Sequence, residues 1–454
     1  MKRFNSKELQ IIIIAAVTQM ATSFIGGMIQ VALPLISQEM NLTIQLANWV
    51  SLSYMVALIA VSIPLGKVIS KYGVKRYTIY GIIVLIAGLA MSALSFDINI
   101  LLLSRVIQGL SVASLLITIY MFVVHQVSDK NIGSALGIVG SCGYIGMTSA
   151  PAISGFIVYY LSWRILFVLL IILFIIELIM LFRLDFEWKS NDNTAINTSG
   201  SLMYVGIMVM FIVGLNYITS WGIYALAVSI VLFILFTKVE HNKSNKIYNI
   251  SLLKDFKYTV GNYAAFVAYF ITFIATYIIN FHLQYVMGYD SRVAGIFLLI
   301  TPIIMVLVSP TAGKISDRFD SRIQAGAAMC VLFFVMLSLC FIDLMPIYIL
   351  VAVMIVQGLG HGFFSPPNNK YVLTLVDDEN LSDASSFLTT SKEVGKTVSL
   401  AMYNLICIHL IGNHEIGAGN IPALISSSHI IMTIAAVLTL SAIILLFYSK
   451  IHYH

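Results

Sequence analysis

Ionisable side chains stand inside long apolar stretches at Arg105, Glu177, His361, Lys392, Glu393 and Lys396. A charge in hydrocarbon is expensive, so each of these is shielded, neutralised or used. Residue type limits the use. A guanidinium stays charged and holds anions or dipoles. An imidazole titrates near neutral pH, and a carboxyl does so once its surroundings shift it. His361 lies in Gly358-Leu359-Gly360-His361-Gly362, ahead of Pro366-Pro367-Asn368-Asn369. Those glycines and prolines predict a broken or bent helix, the setting in which transporters place ligand groups. Lys392 and Lys396 are four residues apart, so one helix face carries two ammonium groups, with Glu393 beside Lys392. Each also has a plainer explanation. His361 can be a hydrogen-bonded structural residue. Glu177 can be protonated or reach the membrane surface. The lysine pair can stand in water at the end of its helix. His282, Gln284 and Tyr285 form a further polar cluster at an outer end.

Other chemistry is not encoded. No phosphate-cradling glycine loop with lysine and serine or threonine is present, so the chain carries no ATP-driven pump and no cofactor is expected. No nucleophile–base signature lies in the loops, and an enzyme is not expected. Cys142, Cys330, Cys340 and Cys407 fall in apolar runs without metal-ligand spacing.

The elements that position these groups are membrane helices. Of 454 residues, 59% are hydrophobic and 10% charged, against about 25% charged in soluble domains. A spanning helix needs roughly 20 apolar residues. Fourteen such runs follow: 9–37, 47–69, 76–96, 100–124, 131–158, 162–184, 198–218, 221–238, 258–287, 292–312, 323–342, 345–369, 381–411 and 423–448. The first, after Met1-Lys2-Arg3, is too long for a cleaved signal and reads as a retained span. With alternating spans, 20 lysines and arginines fall on the side of the N-terminus and 3 on the other. The positive-inside bias puts both termini in the cytoplasm. The basic residues sit in short turns rather than on one face, which argues against nucleic acid and for a lipid bilayer.

One turn organises the chain: Gly66-Lys67-Val68-Ile69-Ser70-Lys71-Tyr72-Gly73-Val74-Lys75-Arg76. It returns 247 residues on as Gly313-Lys314-Ile315-Ser316-Asp317-Arg318-Phe319. Gln108-Gly109-Leu110 returns as Gln357-Gly358-Leu359, and Gly146 and Ala150 map onto Gly395 and Ser399, both at 249. Span 2 thus maps to span 10, span 4 to span 12 and span 5 to span 13. The shift of eight gives two six-helix bundles with an extra pair between them: 1–184, 185–257 and 258–454. In span 5, Gly146, Ala150 and Ser154 form a small-residue face, and Pro151 bends the helix. With Gly395 and Ser399 opposite, spans 5 and 13 are expected to face each other as the pair on which the bundles rock.

These features resemble the major facilitator superfamily, and within it the fourteen-span drug:proton antiporter family. The resemblance rests on the 66–76 turn, Arg105-Val106-Ile107-Gln108-Gly109, the span-5 series Gly137, Gly146, Ala150-Pro151 and Ser154-Gly155, Trp163-Arg164 with Phe167, and Gln284 through Gly288-Tyr289 with Ala294-Gly295. It covers nearly the whole chain.

The resemblance implies an all-α membrane fold and a gating role for Gly66, Lys67, Gly73, Lys75 and Arg76, and for Gly313, Asp317 and Arg318. Asp317 stands where the first copy has Ser70, so any charge latch should be stronger in the second half. It also implies that Arg105 and Gln108 line a central cavity, the alternative being an Arg105 that snorkels outward. In span 1 the family's acid and amide fall on Ile25 and Gln30, so a cationic cargo does not follow. Lys392 replaces an arginine. The implied function is export of small amphipathic compounds in exchange for protons from a monomer in the cell membrane. The alternatives are an uncoupled facilitator and a sensor or scaffold that keeps the fold. With the acids missing at Ile25 and Ser70, the proton carrier is expected at His361 first, because span 12 maps onto cavity-lining span 4. Glu393, held ionised by Lys392, and Glu177, on a peripheral helix, follow. The substrate pathway is expected to contain Arg105, Gln30, Gln108, His361, Asn368, Lys392 and Glu393.

Overall fold

A computed structural model describes residues 4–42, 44–189, 196–218, 220–241, 245–411 and 421–448. Lys2, Arg3, Lys243, Lys450 and the termini lie outside the described residues, as does part of the 185–199 connection. All regular structure among the described residues is helical. The long helices are α1 (Ser6–Glu39), α2 (Ile44–Tyr72), α3 (Val74–Ala93), α4 (Ile98–Gln126), α5 (Ile132–Tyr160), α6 (Trp163–Phe182), α7 (Thr198–Asn216) and α8 (Gly222–His241). There follow α9 (Phe256–Phe281), α10 (Ser291–Leu298), α11 (Ile300–Ser316), α12 (Ser321–Leu339), α13 (Ile347–Thr374), α14 (Leu381–Ile411) and α15 (Ile421–Tyr448). The short α10 and α11 together make span 10, so spans 12, 13 and 14 are α13, α14 and α15.

Among the described residues, thirteen helical spans are long and apolar enough to cross a membrane. The fourteenth, α14, has the length, but its first half carries Asp383, Lys392, Glu393 and Lys396. The fold is therefore the expected fourteen-helix one, with α7 and α8 packed on each other and α7 against α2.

The helix breaks are not where sequence places them. α13 runs unbroken through Pro366 and Pro367. The interruption is at Leu299, where Pro302 cannot donate to the carbonyl of Leu298 four residues back. Span 9 ends in a π-helical turn, His282–Val286, followed by Gly288 in a left-handed conformation, φ +72°, which glycine takes without steric cost.

There are two main apolar cores, one in the first half that extends into α9, α13 and α14 through Tyr258, Val372 and Leu388, and one within the second half. Ile25, Met28, Leu115, Phe122 and Phe167 belong to the first, and Phe270, Ile274, Met329, Leu332 and Phe364 to the second. The small-residue faces serve these cores rather than the seam between halves. A Cβ at Gly146 would stand 2.1 Å from the Met20 carbonyl oxygen of α1, and one at Gly395 would stand 2.5 Å from the Phe266 oxygen of α9. Ala150 meets Gly27 of α1, and Ser399 is fully buried. Gly155 is looser, with Val31 the neighbour a Cβ would meet. Pro151 lies within a continuous, exposed stretch of α5. The expected facing of spans 5 and 13 is therefore corrected. Span 5 packs on span 1, and span 13 on span 9. Across the seam, α5 meets α11 and α2 meets α14. The repeat carries one contact onto the other, because span 5 maps to 13 and span 10 to 2.

Candidate functional site

The two halves meet around Lys392 of α14. The residue is only 4% exposed, and its ammonium donates to the Tyr120 hydroxyl of α4 at 2.8 Å and to Asn369 Oδ1 of α13 at 2.7 Å. It also lies over the rings of Tyr120, at 4.7 Å, and Tyr269 of α9, at 5.4 Å. One turn on, Lys396 pairs with Glu393 at 2.6 Å and faces Tyr269 at 5.3 Å. Both members of that pair are partly exposed. Two expectations change. Lys392 is buried in the seam rather than standing in water at a helix end. Glu393 pairs with Lys396, not Lys392, because on a helix residues three and four apart share a face and adjacent ones do not.

His361 of α13 joins this cluster. Its Nδ1 is 2.9 Å from the Thr272 hydroxyl, and its ring packs edge-on to Tyr144 and Tyr269. It is nearly fully buried. α9 presents Thr272, Thr276 and Asn280, all partly exposed, on one face, and the π-helical turn continues it with Gln284, which donates to Asn280. α1 presents Gln19, Ser23 and the exposed Gln30. Polar, partly open faces at membrane depth belong on a watery cavity rather than on lipid.

The remaining expected pathway residues are placed inside the halves. Arg105 neither snorkels nor lines an open cavity. It is 1% exposed, donates to the Val50 carbonyl at 3.0 Å and to Gln108 at 2.7 Å, and stacks over Tyr54 at 4.5 Å. Gln108 in turn donates to the Gly88 carbonyl and the Ser92 hydroxyl of α3. The Arg-x-x-Gln pair thus ties α4 to α2 and α3. Asn368 donates to the Gly261 carbonyl of α9, at full burial. Glu177 is fully buried against Thr18 of α1 and does not reach a membrane surface.

The basic-turn end is closed. Asp317, at the end of α11, accepts from the backbone N–H groups of Gly133 and Ser134, from the Ser134 hydroxyl, and from Lys370 at 3.1 Å. An anion at the start of a helix meets unsatisfied N–H groups and the positive dipole end together. The first copy has Ser70 here, buried, and its latch is Lys67 to Asp383 at 3.2 Å. A Cβ at Gly66 would meet Ser386 and Ser382 of α14, and one at Gly313 would stand 2.1 Å from the Gly133 oxygen. Gly73, at φ +115°, turns the chain into α3, and Glu187 caps the backbone of Lys75 and Arg76. The seam bonds involve residues 133–141 of α5 and 306–317 of α11. Farther along α5, Met147, Ile153 and Phe156 are exposed.

Sequence reasoning missed Gly133, Ser134, Tyr120, Tyr269, Asn369, Lys370 and Asp383. Gly133 and Ser134 carried a usable signal: they open a helix directly after a charged turn, where an acidic partner is favoured. The tyrosines carried none, since aromatic residues are common throughout this chain.

With the geometry in place, comparison with known proteins is informative. The Major Facilitator Superfamily model matches residues 15–400 and, again, 263–452. The chain is 24% identical to the riboflavin transporter RibZ of Clostridioides difficile, over 87% of each chain. It is 24% identical to the multidrug resistance protein Stp of Mycobacterium tuberculosis, over 82% of this chain and 71% of that one. In fold it is similar to the human organic anion transporter MFSD10 (TETRAN), with TM-score 0.69, 10% identity and coverage of 97% and 100%. That likeness concerns architecture alone. The duplicated helical halves, the paired seams and the family match agree, and this chain is a member of the Major Facilitator Superfamily, a transporter in the membrane.

Proposed function

We propose that this chain exports small amphipathic compounds in exchange for protons by alternating access. Residues 1–184 and 258–454 rock as two bodies on the α5–α11 and α2–α14 seams, and 185–257 covers the second seam. The observation that carries the reading is the asymmetry along the seams. Buried bonds hold the basic-turn end, while partly exposed polar faces of α1 and α9 run on past it. The names of relatives, among them a multidrug resistance protein and a methylenomycin A resistance protein of Bacillus subtilis, agree with export. We place the protein in the cell membrane as a monomer with cytoplasmic termini, in the fourteen-span antiporter branch.

The proton carrier we assign is Glu393 rather than His361. A carrier must exchange with water. Glu393 and its partner Lys396 are partly exposed, whereas His361 is enclosed by rings. A substrate donor on the carboxylate competes with a proton there, which is the linkage exchange requires. The test is efflux of a panel of amphipathic dyes, with riboflavin included, from proteoliposomes under an imposed pH gradient. Wild type should extrude dye while protons move inward, and Glu393→Gln should lose the proton movement. Normal coupling in Glu393→Gln but not in His361→Gln would return the assignment to His361. No transport of any compound would sink the reading.

A further inference from the structure

The seam cluster has a charge problem. Lys392 is buried, yet no carboxylate lies within ion-pair distance of it among the described residues; Glu393 is committed to Lys396. An ammonium has three hydrogens. Tyr120 and Asn369 take two. Both acceptors are neutral, so the charge is solvated by dipoles and ring faces but not balanced. Around it stand two ammonium groups and one carboxylate. Arg105, the next cation toward α2, also rests on neutral acceptors. The site where the resemblance would place an acid on α1 is the buried, apolar Ile25. A buried cation without a counterion is strongly destabilising unless it gives up its proton or something supplies the negative charge. The ring of Tyr269 faces both lysines and is partly exposed, which gives a planar molecule a surface to stack on.

We propose that the cargo is an aromatic organic anion whose negative group is received by Lys392 and Lys396 while its ring lies on Tyr269. This rests on the proposed function and names the chemical class of its cargo. The titratable groups facing the site are Lys392, Lys396 and Glu393 of α14, His361 of α13, Tyr120 of α4, Tyr269 of α9, Tyr144 of α5 and Tyr54 of α2. For an anionic cargo the membrane potential, negative inside, adds to the outward force that proton exchange supplies, because it expels negative charge.

Purified protein is titrated with carboxyfluorescein (anionic), Nile red (neutral) and rhodamine 6G (cationic), read by fluorescence anisotropy. Wild type should prefer carboxyfluorescein. Lys392→Met should weaken carboxyfluorescein about tenfold or more, as loss of a charged hydrogen-bond donor does, and leave the other two dyes within about twofold. Lys392→Arg keeps the charge and should keep the preference. If Lys392→Met does not fold, Lys396→Met and the wild-type preference still decide. In proteoliposomes an inside-negative potential should accelerate carboxyfluorescein efflux beyond what a pH gradient alone produces. Tighter binding of rhodamine 6G than of carboxyfluorescein, or an unchanged anion affinity in Lys392→Met, overturns the proposal. If neutral or cationic dye is exported while the anion is neither bound nor moved, the anion site fails and the export reading stands. If no dye moves, both fail.

Discussion

The glycine contact at the basic-turn end gives a sharp mechanical prediction. In Gly313→Ala the new Cβ would lie 2.1 Å from the Gly133 oxygen and 2.8 Å from its carbonyl carbon. Both neighbours are helix backbone, which cannot rotate aside as a side chain does. A carbon and an oxygen need roughly 3.2 Å, so α5 and α11 must separate by about 1 Å. Overpacking of this kind costs roughly 1–3 kcal/mol. The cost falls on the closed seam and vanishes where the seam opens, so the equilibrium shifts by about 5–150-fold toward opening at this end. Ser309 reports the shift: it is fully buried in the seam and donates to the Gly137 carbonyl. With Cys142, Cys330, Cys340 and Cys407 replaced, a Ser309→Cys reporter should be labelled slowly by an impermeant maleimide added at the basic-turn side. Gly313→Ala should raise that rate at least several-fold. Gly26→Ala, where a Cβ meets nothing within 4 Å, is the control and should leave it unchanged. Equal labelling of Gly313→Ala and the parent would refute the claim that this glycine contact closes the seam.

Asp317→Asn should open the basic-turn end more than Lys67→Met does, because the Asp317 side chain is fully buried and accepts from Gly133, Ser134 and Lys370 while Lys67 is partly exposed; hydrogen exchange at the start of α5 and of α14 reads the difference. Gly146→Leu should lower the amount of folded protein rather than transport alone, since it drives α5 off Met20 of α1 inside one half; normal yield with lost transport would return Gly146 to the inter-half seam. Thr18→Val removes the hydroxyl that faces the buried Glu177 carboxyl and should cost about 1–3 kcal/mol in stability, seen as a lower melting temperature in detergent. Thr18→Ser should restore most of it.

Much of the architecture was legible because two signals are long-range in sequence. The repeated turn at 66–76 and 313–322 fixed the shift of eight spans, and the lysine bias supported an even count. Partners were not legible. A row such as Gly146, Ala150 and Ser154 says that a helix approaches a neighbour closely, and says nothing of which neighbour. It was read as the seam and proved to be the α1 contact. Arg105 and Gln108 were found by their spacing, yet burial decides their task, and no pattern in α4 distinguishes a cavity face from a face against α2. Pro302 breaks its helix and Pro366 and Pro367 do not, because neighbouring helices decide whether a freed carbonyl is tolerated. Lys392 was legible as a charge in the membrane. Its bonds to Tyr120 and Asn369 join three helices and had no sequence signal.

The central claim is that the two ends open in alternation. It is tested most directly by double electron–electron resonance on reconstituted protein with two label pairs. One pair spans the basic-turn end, on Lys71 and Arg318, and the other spans the far end, on Leu94 and Leu344, which is exposed at both positions. Transport conditions should lengthen the first distance while the second shortens. Two distances that stay fixed, or that lengthen together, would contradict alternating access.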